Sequence, residues 1–315
     1  MFKDFITNWQ LNIHGWIYEP EWGGSISQSM RHLFDIEETE QLKLNSLFIE
    51  RAKTFFVDNE RGKQISINLD NELITLKNKS ARNGHFFDSL ILPAKQIEIL
   101  RTGYVINFKA VTRPDDKRDF IGKIHLIDNK GVSIISDIDD TVKISEVLDK
   151  QALLKNTFIN PFKPVLGMAE FYNNFGKNIT FHYVSASPWQ LYQPLTNFLT
   201  ENNFPNGSFH LRLFRWKDSS LFKFIQSSQN HKNKSIKALL KCCPQRRFIL
   251  IGDSGEHDPK IYANIARQYP QQILHIFIRE VTNNIDYKEI FHGLSKWTVF
   301  KNTQELKTSL QDLIN

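Results

Sequence analysis

The chain has 315 residues, of which 41% are hydrophobic and 23% are charged, and its formal net charge is +6. This composition is typical of a soluble globular protein with one large or two ordinary domains. No apolar run approaches the roughly 20 residues that a membrane-spanning helix needs, and the first ten residues lack the apolar core of a secretory signal. We therefore expect a cytoplasmic protein, although export without a signal peptide stays open. The two cysteines, Cys242 and Cys243, are adjacent, which excludes an ordinary disulfide between them and a zinc site with spaced ligands.

Predicted strands dominate the first 130 residues. A Trp-rich strand opens the region at residues 9–19, and a helix-like segment follows at about residues 40–56. Further β-rich runs, separated by Asn, Gly and Pro, lie at residues 64–69, 72–78, 85–92, 104–111 and 120–127. They predict a smaller β-rich domain over residues 1–130, with a sandwich as one arrangement. It contains no catalytic constellation, so we expect it to assist docking or to bind a partner protein.

From residue 131 to residue 315, short apolar strands alternate with amphipathic helices. The strands are expected at residues 132–136, 179–185, 208–214, 247–253, 273–279 and 297–300. Helices are expected between them, and a last one is expected at residues 303–315. This alternation predicts an α/β domain with a doubly wound parallel sheet. Ligands of such sheets bind at the carboxyl ends of the strands.

Polar residues stand at the ends of three of these strands. Asp137 and Asp139 follow the first strand, Ser185 follows the second, and Asp253 follows the fourth. Carboxylates that converge in a crevice repel one another unless a cation neutralises them. A hard divalent ion with oxygen ligands is therefore expected, and Mg²⁺ suits one or two carboxylates together with a phosphate oxygen.

The spacing D-x-D-x-T after the first strand gives two neighbouring carboxylates different tasks. Asp137 could attack phosphorus and form an aspartyl phosphate, a known form of covalent catalysis. Asp139 could protonate the leaving oxygen and later activate water. Thr141 would hold the turn, and Asp140 would only shape it.

Four segments of the second domain, taken in order, resemble the signatures of the haloacid dehalogenase superfamily. They are SDIDDTV at 136–142, VSASPWQLY at 184–192, the pair His231–Lys232, and ILIGDSGEHDPKIY at 249–262. In detail they look like the actin-patch-type phosphatidate phosphatase domain, a family of lipid phosphatases, and the likeness covers residues 131 to 285. The resemblance implies a fold like that of haloacid dehalogenase, and the spacing of the segments, given below, indicates almost no cap domain.

The resemblance also implies roles for the phosphate-handling residues. Asp137 would be the nucleophile, and Asp139 would be the general acid and base. Ser185, Thr141 and Lys232 would contact the phosphate. Lys234 or Lys237 could replace Lys232, and Ser187 competes with Ser185. We interpret Ser187 as the cap of the helix that would begin at Pro188.

The metal-binding residues follow from the same resemblance. Asp137 and Asp253 would hold Mg²⁺ with their carboxylates, and Asp139 would offer its backbone carbonyl. Asp258 would lie in the second shell or act as a further ligand.

Two features bear on the substrate. Asp137 and Ser185 are 48 positions apart, and Ser185 and Lys232 are 47 apart, which leaves no room for a sizeable cap and predicts an open site. Residues 212–247 contain ten Lys or Arg and one acidic residue, and an anionic membrane would attract them. The aromatic residues of this segment, which could insert at the interface, are Phe214, Trp216, Phe222 and Phe224. No nucleic-acid motif accompanies the basic segment, so we expect no nucleic acid as a partner.

These observations predict a Mg²⁺-dependent, membrane-associated phosphatase that converts phosphatidate to diacylglycerol. One alternative is a phosphatase of the same chemistry that acts on a phosphoprotein or another phospholipid. The other alternative is a membrane-binding interaction module whose catalytic residues are secondary.

Overall fold

The structure, a computed structural model, describes residues 8–20, 46–176, 178–214, 229–283 and 285–306. These residues divide into two compact units. The first unit contains residues 8–20 and 56–127, and the second contains residues 46–55 and 128–306. A short helix that precedes most of the first unit in sequence therefore belongs to the second unit.

The first unit is built from antiparallel strands around one apolar core. Its strands are β1 (Asn8–Trp16), β2 (Tyr18–Pro20), β3 (Val57–Asn59), β4 (Ser66–Leu69), β5 (Glu72–Thr75), β6 (His85–Pro93), β7 (Val105–Ala110) and β8 (Ile121–His125). β1 pairs with β6, β2 pairs with β3, and the remaining four strands form a sheet in the order β5-β4-β7-β8. Apolar side chains alternate along these strands, as in a half-buried sheet. Ile13, Ile67 and Ile106 lie at the centre of the core and are at most 3% exposed.

The second unit alternates strands and helices. Its helices are α1 (Ser46–Lys53), α3 (Lys150–Phe158), α4 (Met168–Asn173), α5 (Tyr192–Glu201), α6 (Gln229–Cys242), α7 (Asp258–Gln268) and α8 (Tyr287–Ile290); the number α2 belongs to Ala94–Leu100 of the first unit. Its strands are β9 (Val132–Ser136), β10 (Thr180–Pro188), β11 (Gly207–Arg212), β12 (Arg247–Asp253), β13 (Ile273–Arg279) and β14 (Trp297–Phe300).

All six strands of the second unit are parallel and lie in the order β11-β10-β9-β12-β13-β14. The chain runs outward from β9 to β11, returns to the other side of β9, and runs outward again from β12 to β14. β9 and β12 are almost continuously buried because helices cover parallel sheets on both faces. The order of the strands reverses between β9 and β12, and this reversal is where open α/β sheets bind ligands.

The α/β class, the parallel sheet and the preceding β-rich region confirm the sequence prediction. The predicted strands of the second unit lie within about three residues of the observed ones, since each is a short apolar run bounded by turn residues. Two short elements, α2 and β3, were not predicted from the sequence. The helix expected at residues 40–56 covers Ser46–Lys53 in the structure, and its first part lies outside the described residues.

The domain boundary near residue 130 stays a prediction. Of the helix expected at residues 303–315, the described part is a single 3₁₀ turn at Thr303–Leu306. Among the helices that the structure describes, none is long and apolar enough to cross a membrane.

Candidate active site

The candidate site lies at the carboxyl ends of β9 and β12. Asp137 follows directly after β9, and Asp253 is the last residue of β12. The backbone N–H of Asp137 donates a hydrogen bond to the carbonyl of Ile251 at 2.9 Å, so the sheet ladder continues to the first carboxylate. Two acidic side chains therefore meet at the point where the order of the strands reverses.

Asp137 and Lys232 form a buried ion pair. Both side chains are 1% exposed, and Lys232 Nζ lies 3.1 Å from Asp137 Oδ1. Within the described part of the chain, neither oxygen of Asp137 accepts a hydrogen bond. A buried carboxylate that lacks hydrogen bonds is poorly solvated, which suits a nucleophile or a metal ligand.

Lys232 also contacts two further carboxylates. Its Nζ lies 2.7 Å from Asp258 Oδ1 and 2.8 Å from Glu256 Oε2. Burial alone would lower the pKa of Lys232, but the surrounding carboxylates outweigh burial and raise this pKa well above its usual value. The ammonium is therefore a permanent positive charge beside Asp137.

Asp137, Asp253 and Asp258 form a buried acidic cluster. Each offers a carboxylate oxygen, and these oxygens lie within 4.8 Å of one another. Burial raises the pKa values of Asp137 and Asp253 well above the usual range; Lys232 opposes the shift, and neighbouring carboxylates add to it. A divalent cation would remove this repulsion, and three oxygen donors suit a hard ion. The cluster could therefore bind a metal.

Gly252 makes room for Asp258. An added Cβ at Gly252 would lie 2.3 Å from Asp258 Oδ2 and 2.8 Å from Tyr262 Cε2. Asp258 opens α7, with Pro259 in its first turn, where proline costs no hydrogen bond. Its Oδ2 accepts a hydrogen bond from the Tyr262 hydroxyl at 3.4 Å. Asp258 thus faces Lys232 and the cluster.

Asp139 lies in a different environment from Asp137. Its Oδ1 accepts a hydrogen bond from the Ser145 hydroxyl at 2.6 Å and lies 2.8 Å from Lys143 Nζ. Its Oδ2 accepts hydrogen bonds from the hydroxyls of Ser185 at 3.1 Å and Ser187 at 2.8 Å. Burial would raise the pKa of Asp139, but Lys143 and the hydroxyl donors outweigh burial and hold the pKa below its usual range. Asp139 is therefore an ionised hydrogen-bond acceptor.

Asp140 and Thr141 shape the turn between these groups. Asp140 has a left-handed backbone with φ of +52°, which Asp tolerates better than most residues. Its carboxylate accepts hydrogen bonds from the backbone N–H groups of Ser145, Glu146 and Val147. The Thr141 hydroxyl donates to Asp253 Oδ2 at 3.4 Å, so it links the turn to the acidic cluster.

The structure shows where the alternative lysines and serines of the predicted phosphate site lie. Lys232 is buried in the site, whereas Lys234 is exposed and Lys237 is half-buried on the same helix. Ser185 and Ser187 both donate to Asp139. The interpretation of Ser187 as a helix cap was wrong, because Ser187 lies in β10 and the following 3₁₀ turn has no side-chain cap.

Three residues of the site were missed from the sequence. Lys143 and Ser145 contact Asp139, and Glu256 contacts Lys232. Glu256 stands within the GDSGEHDP segment, so its position was a usable signal. Lys143 and Ser145 reach Asp139 only because the loop folds back, and a strand or helix period does not predict that.

The basic segment at 212–247 contributes less surface charge than its composition indicates. Lys232 and Arg246 are buried and make hydrogen bonds or ion pairs inside the unit. Phe214 does not form an exposed anchor, because it is 3% exposed and packs edge-on against Phe55. The other aromatic residues proposed to insert in a membrane, Trp216, Phe222 and Phe224, lie outside the described residues.

The fold and site define a doubly wound parallel α/β domain with a buried carboxylate–lysine cluster at its switch point. Residues 132–280 match the sequence model of the family described as phosphatidate phosphatase APP1, catalytic domain. This match confirms the resemblance found in the motifs of the segment.

Two curated fungal proteins are similar to this chain over about half of its length. Phosphatidate phosphatase APP1 of Saccharomyces cerevisiae is 36% identical over 160 residues, which cover 49% of this chain and 27% of the yeast protein. An uncharacterized protein of Schizosaccharomyces pombe is 35% identical over 170 residues, which cover 52% of this chain and 28% of the relative. The chain thus spans little more than a quarter of the length of these relatives.

Proposed function

We propose that the second unit is a metal-dependent phosphatidate phosphatase that releases diacylglycerol and phosphate through an aspartyl phosphate at Asp137. The observation that carries this proposal is the Asp137 carboxylate, which is buried, lacks hydrogen bonds from the described residues and lies 3.1 Å from Lys232. A poorly solvated carboxylate beside a fixed cation suits attack on a phosphoryl group. The family match of residues 132–280 supports the choice of substrate.

The chemistry would take two steps. In the first, an oxygen of Asp137 bonds to phosphorus, the bond from phosphorus to the glycerol oxygen breaks, and Asp139 gives that oxygen a proton. In the second, Asp139 takes a proton from water, the water oxygen bonds to phosphorus, and the bond to Asp137 breaks. The first step needs the protonated form of Asp139, which the second step regenerates, and the second step needs the ionised form, which is the form in this structure. Lys232 would offset charge on the phosphoryl oxygens in both steps.

A divalent metal, which we propose to be Mg²⁺, would be held by Asp137, Asp253 and Asp258. The orphaned oxygens of Asp137 and the three converging carboxylates fit a hard cation. When bound, the ion would neutralise part of the charge on the cluster and on the substrate phosphate.

We also propose that the protein attaches peripherally to an anionic membrane. Lys234, Lys241 and Arg247 are exposed basic residues within the segment that the sequence analysis assigned to the membrane. Each such residue near an anionic leaflet contributes about 1 kcal/mol. The N-terminal β-rich domain, proposed to comprise residues 1–130, would assist docking or bind a partner protein.

The decisive experiment measures phosphate release from phosphatidate vesicles with and without Mg²⁺. We expect Mg²⁺-dependent turnover by the wild-type chain, none by Asp137→Asn, and normal turnover by Asp115→Asn, which changes an exposed carboxylate in the first unit. Equal activity of Asp137→Asn and the wild type would refute the nucleophile. A panel with a phosphopeptide and other phospholipids tests the substrate: preference for one of these over phosphatidate would reassign it. Vesicle binding without turnover of any substrate would favour an interaction module.

A further inference from the structure

Lys143 places a buried positive charge against Asp139. The Lys143 side chain is 1% exposed, and its Nζ lies 2.8 Å from Asp139 Oδ1 and 2.5 Å from Ser145 Oγ. The Ser145 hydroxyl in turn donates to the same Oδ1 at 2.6 Å. The ammonium, the hydroxyl and the carboxylate therefore contact one another in a closed set.

The other carboxylate oxygen of Asp139 is held by neutral groups. Ser185 and Ser187 donate to Oδ2 from β10. Of the four described side chains that contact Asp139, Lys143 is the one that carries a charge. A contact between two ionised groups is stronger than a hydrogen bond from a neutral hydroxyl, so Lys143 makes the strongest of these contacts to the carboxylate.

The backbone of Lys143 is fixed on both sides. Upstream, Asp140 accepts three backbone N–H groups from residues 145 to 147 and so closes the loop that carries Lys143. Across the loop, Lys143 forms an antiparallel bridge with Pro164, and the N–H of Ile144 donates to the carbonyl of Lys163 at 2.8 Å. The ammonium group is therefore anchored by a rigid backbone.

The side chain of Lys143 is also held through an aromatic ring. Its Nζ lies 4.9 Å from the centroid of the Phe162 ring, and the guanidinium carbon of Arg51 lies 3.8 Å from the same centroid. Such cation–π contacts are stronger when the groups are desolvated. Arg51 is 5% exposed and donates to the carbonyls of Thr157 and Asn160. A helix outside the matched segment thus supports the ring that Lys143 contacts.

We propose that Lys143 is a positioning residue that holds the Asp139 carboxylate in the place from which it transfers protons. This inference rests on the proposed function, in which Asp139 serves as acid and base. Lys143 itself touches neither the nucleophile nor the cluster, so its effect on the reaction passes through Asp139.

A double-mutant cycle tests this inference on phosphatidate in detergent micelles. Lys143→Met, Asp139→Asn and the double variant are compared with the wild type, and Lys163→Met serves as control because Lys163 is an exposed lysine opposite the same loop. Loss of general acid–base catalysis lowers kcat by about 10²–10⁴-fold. We expect Asp139→Asn to fall in this range, Lys143→Met to lose about 100-fold in kcat with KM within about twofold, and Lys163→Met to match the wild type. The double variant should be as active as Asp139→Asn within about threefold, since the two residues act as a unit.

The inference would be overturned if the fold-loss in kcat of the double variant equalled the product of the two single losses. It would also be overturned if kcat of Lys143→Met equalled that of the wild type. If Lys143→Met does not fold, Ser145→Ala takes its place in the cycle, because Ser145 joins Lys143 to Asp139. We then expect a loss of about tenfold in kcat that disappears in the Asp139→Asn background. A wild-type chain that is inactive on phosphatidate contradicts the proposed function instead, and with it the role of Lys143 in this reaction.

Discussion

Asp137 and Asp139 are two residues apart and both buried, but the groups that surround their carboxylates differ. Asp139 accepts hydrogen bonds from three hydroxyls and pairs with Lys143. Asp137 pairs with Lys232 but accepts no hydrogen bond from the described residues. Burial raises the pKa of Asp137, whereas the partners of Asp139 outweigh burial and lower its pKa. Carboxylates whose environments move their pKa values apart can perform different tasks in one reaction.

Because the Asp137 carboxylate is buried and accepts no hydrogen bond from the described residues, we expect its removal to stabilise the folded chain when no metal is present. Without a divalent ion, a buried carboxylate with a raised pKa costs free energy whenever it is ionised, about 1.4 kcal/mol for each unit of the shift. Asp137→Asn removes this charge while Lys232 keeps Asp258 and Glu256 as partners. We expect the free energy of unfolding, measured by urea at pH 8 in EDTA, to rise by about 1–3 kcal/mol. If the free energy of unfolding fell by this amount instead, the attraction between Asp137 and Lys232 would outweigh the burial of Asp137 and its repulsion by the neighbouring carboxylates.

The acidic cluster predicts that Mg²⁺ stabilises the folded chain. A ligand that binds the folded state alone adds about 2.7 kcal/mol at a concentration 100 times its dissociation constant. Thermal unfolding should therefore shift upward with added Mg²⁺ in the wild type, and the shift should vanish in Asp253→Asn, which lacks one of the three carboxylates. Asp115→Asn should keep the full shift. The same shift in Asp253→Asn as in the wild type would place the ion elsewhere.

The close approach of Gly252 to Asp258 predicts that a single methyl group disrupts the site. In Gly252→Ala, the new Cβ would lie 2.3 Å from Asp258 Oδ2, so the Asp258 side chain, which contacts Lys232 through Oδ1, must shift. Overpacking of this kind costs about 1–3 kcal/mol. We expect the variant to remain folded but to lose most of its Mg²⁺-induced thermal shift and its phosphatase activity. If the thermal shift and the activity both equalled those of the wild type, the Asp258 side chain could accommodate the methyl group without leaving the site.

The course of the chain through the sheet was predictable because strands and strand ends depend on local sequence. Asp137 and Asp253 follow short, mostly apolar runs, and the carboxyl ends of parallel strands lie at the same edge of a sheet, so their meeting followed from topology. The three-dimensional path of the loop after β9 was not predictable in this way. Lys143 and Ser145 reach Asp139 because Asp140 adopts a left-handed backbone and binds three N–H groups, a local event without periodicity.

Long-range packing accounts for the other differences. Arg51 contacts Thr157 and Phe162 across more than 100 positions of sequence, and nothing in the helix that carries Arg51 reveals those partners. The count of basic residues at 212–247 likewise could not separate exposed cations from buried ones. Lys232 and Arg246 are buried because each meets a complete set of acceptors.

We expect substitution of Arg246 to destabilise the fold without changing catalysis. Its guanidinium is 4% exposed and lies at the amino-terminal end of β9, opposite the candidate site. It donates to the hydroxyls of Ser133 and Thr180 and to the backbone carbonyls of residues 128, 130 and 132. Arg246→Met would remove these hydrogen bonds, of which the one to Ser133 is buried and the others are part-buried, at a cost of about 3–5 kcal/mol in the free energy of unfolding. Arg247→Met, a change of the exposed neighbour, should cost less than about 0.5 kcal/mol.

Urea unfolding of both arginine variants, together with kcat on phosphatidate at a temperature where each is folded, checks this prediction. We expect kcat of Arg246→Met to stay within about twofold of the wild type, because hydrogen bonds at the far end of β9 do not orient Asp137 or Asp139. A tenfold lower kcat in the folded Arg246→Met variant would mean that a change at the amino-terminal end of β9 displaces the residues at its carboxyl end. Equal unfolding free energies of the two variants would mean that water replaces the guanidinium at its five acceptors.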